Sequence, residues 1–193
     1  MLAAIAIPNF IRFQARAKQS EAKGNLKAIF TGERAYYQEK DRYSASFTAI
    51  GFAPERGNRY GYALGATATS PQVRTAVDIT GTAGDTNRIE VDTFKYAGAT
   101  AQPVATGAAS VTWATDPGDP GAIPGEDFTN CPATTCAWSA DATGNIDSDS
   151  IVDNWFVAST DGVYDPTSGC GRDPTDTAAP AGEPQLHEND VSC

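Results

Sequence analysis

Apolar positions recur at Ala15, Ala22, Leu26, Ile29, Phe30 and Tyr37, at spacings of three, four and seven that place them on one face of a helix. Arg12, Arg16, Lys23, Lys27 and Arg34 lie off that stripe. The pattern predicts a helix from near Asn9, an N-cap after Pro8, to about Lys40. Between residues 10 and 21 the apolar residues Phe10, Ile11, Phe13, Ala15 and Ala17 fall on more than one side, which calls for neighbours on more than one side. The first half should therefore protrude and pack in an assembly, while the second lays its stripe on a sheet. Glu21 can pair with Lys18, and Glu33 with Tyr37 or the neighbours of Arg34. Gly24 and Gly32 each cost ~1 kcal/mol of helix propensity relative to Ala, and their small size lets another backbone come close.

Beyond Asp41 the helical period fades into a turn-rich segment. Alternating, aromatic-rich RYGYAL (59–64) reads as a strand, and further strands are expected near 72–79, 88–98, 109–115 and 153–160. Runs such as DPGDPGAIPGED (116–127) are turns or loops, and 171–190 reads as a long loop. The expected architecture is α+β: a stem helix over 1–40, then a β head over 41–193 with a connecting loop at 41–60 and a Cys-containing region at 131–193.

Charge changes this picture along its length. Residues 1–40 hold seven Lys/Arg and three acids, and 41–115 hold six of each. Residues 116–193 hold one Arg against fifteen acids, a net −14. The total of −10 sets the molecule against nucleic acid as a partner, and no nucleic-acid site is visible. A basic stem and an acidic far end suit copies packed stem to stem with heads outward; the plainer reading is a solubilising acidic surface.

Cys131, Cys136, Cys170 and Cys193 all fall in the last third, an even number that suggests two disulfides and an oxidising compartment. Cys131–Cys136 would close a tight loop around Pro132, and Cys170–Cys193 would tie back the C-terminus, contributing roughly 3 kcal/mol in the chain-entropy account. A four-Cys zinc site is the rival, and one C-x4-C pair without a second close pair fits it poorly. Met1–Pro8 is too short to span a bilayer and no signal peptide is visible.

The stretch LAAIAIPNFIRFQARAKQSEAKGNLKAI resembles the end of the N-terminal helix, the central proline and the start of the amphipathic half in type IV pilins. DRYSASFTAIGFAPERGNRYGYAL is similar to the loop and first strand of the large type IVa major pilins of myxobacteria-like bacteria. GNIDSDSIVDNWFV with nearby cysteines is similar to their late sheet and disulfide-bonded region. The resemblance implies the pilin fold, with a long N-terminal helix packed on an antiparallel β-sheet and a disulfide-tied C-terminal region, and a subunit that polymerises through its N-terminal helix into a surface filament for motility, adhesion or DNA uptake. Leu2, Ile5, Ile7, Pro8, Phe10, Ile11 and Phe13 then fall in the assembly stem. Family members also carry a leader, a cleavage site and a longer apolar run, so Met1 is expected to stand inside a longer helix. The full-length form would pass through the inner membrane and use the pilus assembly machinery.

Asp147, Asp149 and Asp153 crowd together in GNIDSDSIVDNW, and carboxylates so close repel unless a cation or hydrogen-bond donors offset them. Related pseudopilins of type II secretion use a late loop of this kind for calcium, so Ca2+ is the candidate cofactor; an Asx turn entering a strand is the alternative. No catalytic motif is present, and His187, alone in a loop, reads as a surface residue. Phe10, Phe13, Phe30, Tyr36 and Tyr37 read as packing rather than electron conduction. Seventeen residues, roughly 26 Å of helix, separate Phe13 from Phe30. A type II secretion pseudopilin and a free secreted binding module are the competing functions.

Overall fold

The computed structural model describes residues 3–65, 71–79, 86–96, 113–115, 128, 131, 136–146, 152–164 and 178–189, with residues 3–12, 113–115, 164 and 188 described as backbone. One helix, α1, runs unbroken over Ala3–Lys40. It starts ahead of the expected Asn9 cap and passes through Pro8. A proline here removes one hydrogen bond, the one its missing N–H would give Ala4, and the helix continues through it. The helix stops at Asp41, whose left-handed φ of 53° turns the chain away while its N–H bonds the Tyr37 carbonyl at 2.9 Å. Among the described residues no helix is long and apolar enough to cross a membrane.

The head is a six-stranded sheet built from β1 (Gly61–Leu64), β2 (Pro71–Gln72), β3 (Arg88–Ile89), β5 (Ser139–Gly144), β6 (Asp153–Ala158) and β9 (Gln185–Glu188) in the order β2-β3-β1-β5-β6-β9. A three-stranded sheet holds β4 (Trp113–Thr115), β7 (Gly162–Tyr164) and β8 (Ala178–Ala179). Neighbours in both sheets run antiparallel except β2 and β3, which are parallel, so the larger sheet is mixed but mostly antiparallel.

Register explains how the helix sits. Tyr62 faces Ala142, which faces Trp155, and Leu64 faces Ala140, which faces Val157. Directly opposed residues share a sheet face, so these six form one surface. They share one core with Ala15, Ala22, Leu26 and Ile29 of α1. Alanines in the central strand leave the large neighbours, Tyr62 and Trp155, room beneath the helix. The far face of β1, β5 and β6 is also buried, through Ala63, Asp141, Phe156, Thr143 and Asn154.

The segment 41–60 folds down over the helix C-terminal half. Phe47 and Phe52 enter the core, with ring centroids 5.1 Å apart, and Phe52 meets Tyr62 at 5.6 Å. Phe30, Trp138, Tyr43 and Tyr37 form a second aromatic chain, with centroids 5.8, 6.1 and 4.8 Å apart along it, which is the packing role expected of Phe30 and Tyr37. Gly32 is where the loop backbone comes closest: a Cβ there would lie 2.8 Å from the Ile50 carbonyl oxygen. At Gly24 nothing lies within 4 Å. Gly24→Ala should therefore stabilise the chain by about 0.5–1 kcal/mol through helix propensity, whereas Gly32→Ala should destabilise it by about 1–2 kcal/mol because the loop must shift. Parallel thermal melts of the two variants check this, and equal shifts would refute it.

Two arginines fasten the loops at the base of the head. Arg74 is buried and donates to the Pro54 and Glu55 carbonyls, Asn58 Oδ1 and Gln72 Oε1. Arg56 pairs with buried Asp92 and also donates to the Ala76 and Val77 carbonyls. The Arg56 guanidinium, helped by the Gly57 and Lys95 N–H groups, pulls the Asp92 carboxyl down to about 2. These demands explain why 74–79, expected as strand, is irregular: the Ala76 and Val77 carbonyls serve Arg56, and beyond β2 only Val73 makes a further bridge.

Several other expectations are corrected. Residues 171–190 were expected as loop, yet 178–179 and 185–188 are strands. His187 is accordingly no surface residue: pairing of β9 with β6 carries it into the sheet, where it is 7% exposed. Central β5 was absent from the expected strands.

Candidate assembly interface

The helix meets the head from Ala15 onward. Ala15 is 4% exposed, while Phe13, one half-turn earlier, is 71% exposed. An aromatic side chain left in the open where a helix departs from its head is a surface suited to another subunit. Phe13 belongs to the residues expected in the assembly stem; the side chains of Leu2, Ile5, Ile7, Pro8, Phe10 and Ile11 lie outside the described residues.

The departure point is clamped. Gln19 Nε2 donates to Asp153 Oδ1 at 2.9 Å and to Asn189 Oδ1 at 3.1 Å. Asp153 Oδ2 also accepts from the Tyr60 hydroxyl at 2.6 Å and from Trp155 Nε1 at 2.7 Å. One fully buried carboxylate at the start of β6 thus joins α1, the residue leading into β1, and β6 itself. Burial, then the Asp153 charge, pushes the Tyr60 hydroxyl well above its ordinary value, which keeps it a proton donor. Lys18 Nζ donates to the Ile146 carbonyl one loop earlier.

Glu21 completes the clamp on the other flank. Its Oε1 accepts the Arg59 N–H at 2.9 Å and the Tyr62 hydroxyl at 3.2 Å, and Asn25 Nδ2 donates to that hydroxyl at 2.6 Å. Burial raises the Glu21 pKa, and these donors hold it back. Higher on the same buried face, Glu33 is 0% exposed. Its Oε2 accepts the Ser44 N–H at 3.1 Å, and its Oε1 has no hydrogen-bond partner among the described residues. Burial pushes the Glu33 carboxyl up to about 8.

Both glutamates therefore differ from the helix-surface partners expected of them. The buried face is the run Ala15, Gln19, Ala22, Leu26, Ile29, Glu33, alternating steps of four and three, so two of its six positions are polar. That spacing was readable in the sequence; counting apolar residues alone passed over Gln19 and Glu33.

The cysteines and aspartates are only partly brought together. Cys131 and Cys136 form a disulfide with Cα atoms 5.0 Å apart, which removes both from any zinc site. Cys170 and Cys193 lie outside the described residues. So do Asp147 and Asp149, while Asp153 is engaged by the donors named above. Among the described residues no group of three or more His, Cys, Asp or Glu is placed to hold a metal ion.

A long helix laid on a mixed, mostly antiparallel sheet from Ala15 onward, with an exposed Phe13 just ahead of that contact, defines an α+β subunit with a helical stem and a β head. The family model "Type IV pilin PilA" matches residues 13–153. "Type IV major pilin protein PilA" of Myxococcus xanthus (strain DK1622) is 41% identical over 204 residues, a match covering 100% of this chain and 86% of that protein. The chain belongs to the type IV pilin PilA family and is a pilin, the subunit type of a type IV pilus. The pseudopilin and secreted-module readings are not favoured by a match of that extent.

Proposed function

We propose that this pilin is the major subunit of a retractile filament that serves surface motility and adhesion. The carrying observation is the clamped stem: α1 is fixed to the head by Gln19, Lys18 and Glu21 and bares Phe13 immediately beyond them. Burial of the stem's apolar residues between copies drives polymerisation, each CH2 contributing ~0.8 kcal/mol. A net charge of −10 weighs against DNA as the head's own ligand, which favours motility and adhesion over DNA uptake. Before assembly the subunit waits in the inner membrane and is handed to the pilus assembly machinery, ending outside the cell. Its role is structural, with no catalytic step. Electron microscopy of cells with and without the gene, with antibody against the head, tests this. Labelled filaments that vanish on deletion together with surface spreading are expected, and filaments unaffected by deletion would overturn it.

A further inference from the structure

Large apolar side chains are left exposed in one place on the head. Val77, Ile79 and Phe94 all face solvent at its base. Arg56 joins two of them: it donates to the Val77 carbonyl at 2.7 Å, and its guanidinium stands 5.7 Å from the centre of the Phe94 ring. Ile79 follows two residues after Val77, and the three make an apolar shelf. Arg56 also borders an open cleft of about 320 Å³ between α1 and the 54–58 segment, whose walls include Glu21, Asn25, Glu55 and Asn58.

The cleft is built to hold a cation. Arg56 is already spent on Asp92. Glu55 is exposed and has no ion-pair partner among the described residues. Glu21 accepts the Arg59 N–H and the Tyr62 hydroxyl, both neutral donors, and a carboxylate has room for about four donors. The Arg59 guanidinium lies over the Tyr96 ring, 4.0 Å from its centre, and acts on Glu21 more weakly than burial or the hydrogen bonds. The stem carries the complement. Phe13 and Arg16 are both exposed and lie three residues apart, about 60° around the helix and ~4.5 Å along it, so they project side by side. Arg16 has no ion-pair partner among the described residues. Glu21 sits roughly 140° farther round α1, so a chain's Arg16 faces away from its own cleft.

We propose that the shelf and cleft of one copy receive Phe13 and Arg16 of a second copy, Phe13 covering Val77 and Phe94 while the Arg16 guanidinium enters the cleft against Glu21 and Glu55. Arg56 borders both halves of the site, so they adjoin as Phe13 and Arg16 do. Resting on the pilin reading, this deepens it by naming the head surface that receives the bared stem side chain. With parallel stems, bringing Arg16 level with residues 21–25 shifts the second copy by about 8–14 Å along the axis. The two surfaces are unlike, so each contact leaves a cleft open at one end and a Phe13–Arg16 pair at the other, and the contact propagates into a filament. An ion pair inside a cleft is screened by salt less than one on an open surface.

The test uses intact filaments purified from cells, in two measurements. With Phe13 replaced by p-benzoylphenylalanine in a subunit co-expressed with the parent, irradiation should join residue 13 of one copy to 77–79 or 94 of another, located by mass spectrometry of the dimer band. Filaments of Arg16→Glu, and separately of Glu55→Arg, should release about threefold or more free subunit than the parent near 50 mM NaCl. The exchanged pair Arg16→Glu/Glu55→Arg should return to the parent level, a rescue that a purely structural role would not give. Cross-links that map only elsewhere, or an exchanged pair no better than its single variants, overturn this contact and leave the pilin reading standing. Absence of any filament containing this chain overturns both. Should the charge variants fail to accumulate, the cross-link in co-expressed filaments decides alone.

Discussion

Glu33→Gln is expected to remove most of the pH dependence of the head's stability and to make the variant more stable than the parent above pH 8. Glu33 is 0% exposed, accepts one backbone N–H from Ser44, and has its second oxygen unpartnered among the described residues. Burial raises its pKa from 4.5 to about 8. Between those values the folded chain holds a proton that the unfolded chain has released. Stability is therefore fully present below about pH 4.5, falls by ~1.36 kcal/mol per pH unit as pH rises, and levels off above about 8. Across the whole window the loss approaches about 5 kcal/mol, the ceiling being set by how readily the 41–47 segment peels away to hydrate the charge. A glutamine cannot ionise and keeps an acceptor for Ser44, so its profile should lose Glu33's share of the slope and keep only the smaller part due to Glu21. Urea unfolding of both proteins at pH 5, 7 and 9 measures this, and parallel profiles would defeat the argument.

The same residue shows where sequence reading stops. The stem was legible because its apolar stripe is long and periodic, and Ala15, Ala22, Leu26 and Ile29 are buried as that stripe requires. Strands β1 and β6 were legible because Tyr60, Tyr62, Trp155, Phe156 and Val157 combine high strand propensity with turn residues on either side. β5 was not, because SADATG offers no aromatic residue and only Thr143 as a β-branched one. Its six residues are buried because larger neighbours on β1, β6 and α1 cover them, and that cover is set by tertiary pairing. His187 and β9 were missed for the related reason that an edge strand is defined by the partner it finds, here β6. Of the candidate interface, Phe13 was legible as an apolar residue off the stripe, whereas the clamp was not. Asp153 was noticed only for the acids beside it in sequence, yet its donors Gln19 and Tyr60 stand 134 and 93 residues away.

Asp153→Ala should be the most damaging single change at the stem–head junction, lowering stability by about 4 kcal/mol. The carboxylate is fully buried and accepts from Gln19, Tyr60 and Trp155 at 2.6–2.9 Å. Bonds to a charged acceptor are each worth ~1.5–3 kcal/mol, and truncation strands buried donors on three elements at once. Gln19→Ala separates the junction from the fold: it removes the helix's link to Asp153 and Asn189 but leaves the Tyr60 and Trp155 bonds within the head. Its melting point should therefore fall far less, by the equivalent of about 1–2 kcal/mol. Amide exchange over 15–22 should nonetheless accelerate, since those turns would open without global unfolding. If Gln19→Ala and Asp153→Ala destabilise the chain equally, or if exchange over 15–22 is unchanged in Gln19→Ala, the clamp is no separate unit. Calcium enters the same experiment as a control. With both Asp153 oxygens accepting protein donors, a calcium site in this loop would have to be built chiefly on Asp147 and Asp149. Heat on calorimetric titration of the Asp153→Ala chain would then match the parent, whereas heat lost with Asp153 would make that carboxylate a ligand and the clamp its competitor.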